Sequence, residues 1–422
     1  MSEPLQRVLR AKNPLTLAGV PTGFLPWLAA DLARAAHGSK QARAVVIAAD
    51  EAAMRALAET VPLFAPEVEV LTLPGWDCLP YDRASPALRV MAERLATLNA
   101  LQAKRRKPQL LVATTSAASQ RLLTRFRVRQ LTRQIAAGQR IERDSLIEQL
   151  NMLGYQRTDT VAEHGEYAVR GSLIDLFPAG EEWALRLDFF GDEIESLRRF
   201  DPADQRSTEK AEAFTLIPAS EALLDEHTIK NFRSLYREKF GATATQDPLY
   251  QALSDGRRMT GMEHWLPLLE ERLETLFDHL GENDIILRDA AADKAVEARR
   301  EAIDDYYQNR VHAQEAEPGS YRPLESSALY LGKEEWAELI EARPIHLASP
   351  FPEPDGERTI DFGVEAARDF APERAQQANV YEAVAHHVAK LRRSGRKVVL
   401  ASYTKGARER LSGLLEEHGL KA

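Results

Sequence analysis

Residues Trp183 to Phe200 alternate apolar and polar side chains around Gly191-Asp192, a pair that suits a tight turn. Read as a hairpin, its first strand turns Leu185, Leu187 and Phe189 to one face, and Arg186, Asp188 and Phe190 to the other. The first set is an apolar face fit for a core. The second leaves a benzyl ring and a guanidinium outward, the groups of a protein-docking hot spot. The ring fills a partner's pocket and the planar fork meets a carboxylate. A purely structural arrangement uses the same residues, with Phe190 under a neighbouring loop and Arg186 paired to Asp188 or Glu195. Strand parity alone leaves both open.

Other groupings offer less chemistry. His386 and His387 are adjacent on a helical stretch and face different ways, which argues against shared metal ligation. His164 follows Glu163 without partners at ligand spacing, and Asp304, Asp305, Tyr306 and Tyr307 read as a solvated helix face. A single cysteine, Cys78, excludes an internal disulfide or a Cys-based zinc cluster and suits a reducing cytoplasm. No Ser/His/Asp or Cys/His arrangement stands out.

The net charge is −9, from 55 Lys plus Arg against 64 Asp plus Glu, whereas a chain gripping duplex DNA unaided is usually basic. The clusters Lys104 to Lys107 and Arg392 to Lys397 follow helical stretches and read as solvated helix ends near the negative pole. No apolar run approaches the ~20 residues of a membrane span, and Met1 to Asn13 lacks a signal-peptide core.

The elements that must position these groups fall into three styles. Residues 1–125 alternate buried strands (Leu15 to Ala18, Ala44 to Ala49, Val68 to Leu73, Gln109 to Thr114) with helices (Phe24 to Ala36, a helix capped by Asp50, Val90 to Leu101). That alternation predicts a parallel α/β sheet. Residues 126–213 change to one helix, Arg143 to Leu153, and short period-two strands through Tyr167 to Phe177 and Trp183 to Phe200, a small α+β insert. Residues 214–335 return to helices and a buried strand, Asp284 to Arg288, which resumes the first domain. Residues 336–370 read as a linker. A third α/β domain then starts at 371–422, with helix Ala375 to Arg393, strand Lys397 to Ser402 and helix Ala407 to His418. One βα unit cannot close a parallel sheet, so this last domain is expected to be incomplete.

Two stretches carry a resemblance. One is Pro74-Gly75-Trp76-Asp77-Cys78-Leu79-Pro80-Tyr81-Asp82, with Ser85-Pro86 and Arg94-Leu95-Ala96-Thr97-Leu98 after it. The other runs from Glu163 through His164-Gly165-Glu166-Tyr167-Ala168-Val169-Arg170-Gly171 to Pro178, and continues from Leu185 to Arg198 and Phe200-Asp201. Together they resemble the bacterial transcription-repair coupling factors, in the module these share with the excision-repair protein UvrB. Gly261-Met262-Glu263-His264-Trp265 is similar to a third signature of that module.

The resemblance implies a degenerate helicase-like (P-loop-type) parallel-sheet domain with an inserted small α+β domain, followed by a partial α/β domain. It also implies a lost motor. A phosphate-binding loop needs backbone N–H groups, a Lys and a hydroxyl. The equivalent stretch here, Gly19-Val20-Pro21-Thr22-Gly23-Phe24-Leu25-Pro26, has no Lys, and its prolines donate nothing. Where a working motor places an Asp-Glu pair for magnesium, this chain has Ile285-Ile286-Leu287-Arg288-Asp289-Ala290, with Asp289 expected at the surface. About twenty mostly helical residues separate Tyr81 from Leu101, which leaves no room for the long DNA-probing hairpin of UvrB, and Tyr81 suits a core as well as a base stack.

What remains is partner binding. In this family the small domain docks the damage sensor UvrA, and matching motif to motif places docking on Arg170, Arg186 and Phe190, bordered by Glu166 and Asp188. Gly171 is expected to allow a bulge or a close approach of the partner. The expectation is therefore a non-catalytic, cytoplasmic UvrA-recruiting region with no cofactor of its own. ATP, magnesium, RNA polymerase and DNA would belong to a translocase in the rest of a full-length protein, whose carboxy-terminal domain would mask the docking face. The rivals are a UvrB-like helicase, which needs the missing Gly-Lys-Thr, and a DNA-binding module built on the two basic clusters.

Overall fold

Strands β1 (Thr16–Ala18), β2 (Ala44–Ala48), β3 (Glu69–Leu73) and β4 (Gln109–Thr114) join three later ones in a seven-stranded sheet. The computed structural model describes residues 2–241, 245–316, 321–364 and 367–420. The chain then forms β5 (Arg133–Ala136), β6 (Gln156–Arg157), β7 (Glu166–Arg170), β8 (Leu173–Leu176), β9 (Ala184–Phe190), β10 (Glu193–Phe200), β11 (Ser207–Ala211) and β12 (Ala213–Leu216). It returns to the large sheet as β13 (Ile285–Asp289), β14 (Ile345–Ala348) and β15 (Thr359–Asp361).

The large sheet has the order β15-β1-β14-β13-β2-β4-β3, with every neighbouring pair parallel. Every residue of β2 and β4 is buried because apolar layers cover both faces. On one side Ala44, Val46, Val112 and Leu287 pack against helices Leu25–Lys40 and Glu51–Phe64. On the other, Val45, Ile47, Leu111 and Ile286 meet helix Leu88–Gln102 and the helical stretch that follows the insert.

The insert is entered and left through one antiparallel pair, β5 with β12, in which Ile135 opposes Phe214. Beyond this neck lies a six-stranded sheet in the order β11-β10-β9-β8-β7-β6, antiparallel except for β6 with β7. Helix Arg143–Met152 covers its inner face, where Leu146 and Leu150 pack with Tyr167, Ile174, Leu187 and Phe189. An ion pair sealed from water joins the first domain to the segment leaving the insert. Arg94 donates through Nε to Glu221 Oε1 (2.5 Å) and through Nη1 to the Pro74 carbonyl (2.6 Å). Trp76 Nε1 donates to the same carboxylate at 3.1 Å, so Pro74, Trp76 and Arg94 of the first quoted stretch share one polar knot.

Several expectations are corrected. Residues 336–370 are not a linker: helix Lys333–Glu341 is followed by β14 and β15, which flank β1 in the large sheet. Strands of four and three residues are too short to show periodicity among prolines and glutamates. Gly171 (φ +61°) makes no bulge; it opens the two-residue turn between β7 and β8. Tyr306 and Tyr307 are half-buried against the core, because they continue the Ile303 stripe of helix Ala292–Ala316.

Residues 365–422 form a separate unit. Its helices are Ala371–Ala375, Val380–Arg393 and Lys405–Glu417; the second starts later than expected, where Asn379 caps it. The strand expected at Lys397 to Ser402 does not form. A strand is held by its ladder, and no other strand exists among the described residues of this unit to pair with it, leaving Val399 87% exposed. Among all described residues, no helix is long and apolar enough to cross a membrane.

Candidate protein-docking face

The β9–β10 hairpin sets the face. Burial alternates along β9, with Leu185, Leu187 and Phe189 in the core and Arg186, Asp188 and Phe190 on the outer side. The turn is Gly191-Asp192, with Gly191 at φ +60° in the first central position, as a type II′ hairpin turn requires. Phe190 pairs with Glu193 at the tip and is 79% exposed. Burying such a ring is worth about 1.5–3 kcal/mol, so leaving it in water forgoes stability that a covering partner recovers.

Arg186 departs from both arrangements read from the sequence. Its carboxylate partner is neither Asp188 nor Glu195 but Asp175, directly across on β8 and 1% exposed. The contact is a two-pronged fork, Nε to Oδ1 at 2.7 Å and Nη2 to Oδ2 at 2.9 Å, with Nη1 donating to Ser207 Oγ at 3.1 Å. That hydrogen bonding holds the guanidinium pKa above the ordinary arginine value despite partial burial. The guanidinium carbon also lies 5.0 Å from the Phe200 ring centre. Phe200 belongs to a small second core with Val161, Ala168, Phe177 and Ala184. Arg186 therefore roofs this core and neutralises Asp175, and its fork is already occupied. Asp175 was missed because one carboxylate within Leu173-Ile174-Asp175-Leu176 reads as an ordinary strand residue until its cross-strand register is known.

Arg170 is exposed at the end of β7, and its Nη2 donates to the Asp159 carbonyl (3.1 Å) and Thr160 Oγ1 (3.2 Å). It shares a row with Asp188, because Arg170 pairs with Leu173 and Leu173 with Asp188. Asp188 accepts from Ser172 Oγ at 3.2 Å. Glu166 is spent locally, its Oε2 accepting from the Ala162 and Glu163 N–H groups at 2.7 and 2.9 Å. His164 packs on the Phe177 ring (3.8 Å between centres), with Nε2 3.0 Å from the Glu181 carbonyl oxygen.

The loop after β1 uses its donors internally. Past the end of β1, Gly19 N–H donates to the Phe351 carbonyl (2.9 Å) and Val20 N–H to that of Ser349 (2.8 Å). Phe24 and Leu25 N–H donate to the Pro21 carbonyl. Asp289 is half-buried rather than at the surface, and its Oδ1 accepts from Ala291 N–H at 2.7 Å. Tyr81 is a core residue, 4% exposed, between the rings of His264 and Tyr307.

Against this geometry, residues 134–221 match the family described as the UvrB interaction domain. The match starts inside β5 and ends just past β12, so it coincides with the insert and its neck. The chain is 38% identical over 244 residues to the transcription-repair-coupling factor of Escherichia coli K12, covering 58% of this chain and 21% of that protein. The chain is similar to the transcription-repair-coupling factors. The coupling factor of Haemophilus influenzae is 39% identical over 221 residues, 52% of this chain and 19% of its own length. That of Myxococcus xanthus is 34% identical over 347 residues, covering 74% of this chain and 28% of the coupling factor. The chain thus spans about a fifth to a quarter of the length of these curated relatives.

Proposed function

We propose that the chain recruits the damage sensor UvrA through the outer face of the six-stranded sheet, as a non-catalytic arm of a coupling factor in transcription-coupled nucleotide excision repair. The observation that carries this reading is Phe190, 79% exposed at the tip of a hairpin whose other outward side chains are fixed. A rigid ring on a paired strand loses little conformational freedom on docking, which is what a hot spot needs. The match of residues 134–221 to a UvrB interaction domain and the similarity to coupling factors support it. Arg170 and Phe190 would touch UvrA directly, and Arg186 would hold the strand between them.

The non-catalytic reading is supported by the Gly19 and Val20 N–H groups, which already donate to main-chain carbonyls and leave phosphate oxygens poorly served. A full-length coupling factor would add an ATP-driven DNA translocase that displaces stalled RNA polymerase in the cytoplasm. Mixing the chain with UvrA at micromolar concentration on a sizing column tests recruitment. Co-elution that Phe190→Ala abolishes is expected, and separate elution of the unaltered chain overturns the reading.

A further inference from the structure

The outer face carries a row of three cations of which the fold compensates one. Register across three strands places Asp175 opposite Arg186, Arg186 opposite Arg198, and Arg198 opposite Lys210. Partners in register share a face, so three cations stand side by side behind one carboxylate. Arg186 consumes that carboxylate. Arg198 and Lys210 are exposed, and among the described residues neither has an ion-pair partner. Like charges directly opposite one another on a sheet are unfavourable, and the unbound protein retains one such pair uncompensated, Arg198 with Lys210.

The opposite sign gathers at the hairpin tip, where Asp192 and Glu193 adjoin Phe190. The face is therefore polar along β10, negative beside the aromatic ring and positive at the Arg198–Lys210 row. Duplex DNA would meet repulsion at the tip, whereas a protein can match both ends.

We propose that Arg198 and Lys210 form the specificity-determining half of the docking face, reading carboxylates that the protein partner sets beside its pocket for Phe190. The inference rests on the docking role proposed above. It moves the carboxylate-binding part from Arg186, whose fork is occupied, to its cross-strand neighbour Arg198. A partner carboxylate between the two cations relieves their repulsion, so the gain appears only in the complex. The polarity also fixes orientation, since a reversed partner would bring acid against Asp192 and Glu193.

The test is titration of the whole chain with UvrA at about 50 mM and about 300 mM salt, concentrations that straddle a Debye length of roughly 10 Å. Arg198→Glu with Lys210→Glu should weaken binding about tenfold or more at low salt and flatten its salt dependence. Arg198→Ala with Lys210→Ala should do the same to a lesser degree without lowering the melting temperature, because it removes repulsion; this pair carries the test if the reversed pair misfolds. Phe190→Ala should weaken binding at both salt concentrations alike. If the charge variants bind as tightly as the unaltered chain, with the same salt dependence, while Phe190→Ala does not, the row is overturned and the docking face stands. Charge variants that lose duplex DNA but keep UvrA also overturn it, in favour of a phosphate contact. If the unaltered chain fails to bind UvrA, both proposals fall together.

Discussion

Arg186 and Asp175 face each other across β9 and β8 in a two-pronged contact at 2.7 and 2.9 Å, and this pair makes Arg186 part of the scaffold of the outer face. Arg186→Ala should cost about 2 kcal/mol, because it strands a buried carboxylate and unroofs Phe200. Denaturant unfolding measures this. The double variant Arg186→Ala/Asp175→Ala should recover part of the loss, and additive losses would show that the two residues do not act together.

Phe190 makes the complementary case. Phe190→Ala should weaken UvrA binding by about 2 kcal/mol, roughly thirtyfold, in a calorimetric titration. Its melting temperature should match the unaltered chain, since the ring is 79% exposed and belongs to none of the apolar cores. A collapsed melting temperature would place the ring inside the fold.

Glu221→Gln should destabilise the chain by about 3–5 kcal/mol, because Arg94 is then left charged and unpaired at 0% exposure. The pair links the first domain to the segment leaving the insert. Hydrogen exchange should therefore show faster opening on both sides of the neck, with unfolding by denaturant giving the magnitude.

Stability should also depend on pH through two buried histidines. Burial pulls His264 and His346 down to about 4 from an ordinary 6.5. Between those values the unfolded chain binds protons that the folded chain refuses. Stability therefore falls as pH drops from 6.5 towards 4, by up to about 1.4 kcal/mol per pH unit for each histidine. Glu263, raised by burial, has the opposite sign. His346→Gln should flatten the slope measured by denaturant titrations across this window, and an unchanged slope would remove His346 from the account.

The loop after β1 gives a sharper check on the proposed absence of nucleotide binding. Installing the missing groups as Phe24→Lys with Leu25→Thr should not create ATP affinity in a fluorescent-nucleotide titration. The Gly19 and Val20 N–H groups remain donated to Phe351 and Ser349. Saturable binding by this double variant would show that the side chains alone were lacking.

Much of the β9–β10 hairpin was legible in the residue pattern. Leu185 to Phe189 alternate strictly and Gly191-Asp192 punctuate the strand end, so period-two geometry suffices to turn Phe190 to the outer face. The strands β2, β4 and β13 were legible for a related reason, since unbroken apolar runs of three to five residues must be covered on both faces. Short β14 and β15 were not, because their place is set by pairing with β1 rather than by their own residues.

By itself the sequence determined which residues alternate, where the turns fall, that the phosphate-loop lysine is missing, and that a resemblance to coupling factors runs through the insert. Only the tertiary structure decided that Arg186 is held by Asp175, that Arg198 and Lys210 line up beside it, and that the Gly19 loop spends its donors on residues more than three hundred positions away. Parity is local, whereas partnership across strands depends on register and on chain closure, and neither is written in the spacing of any one segment.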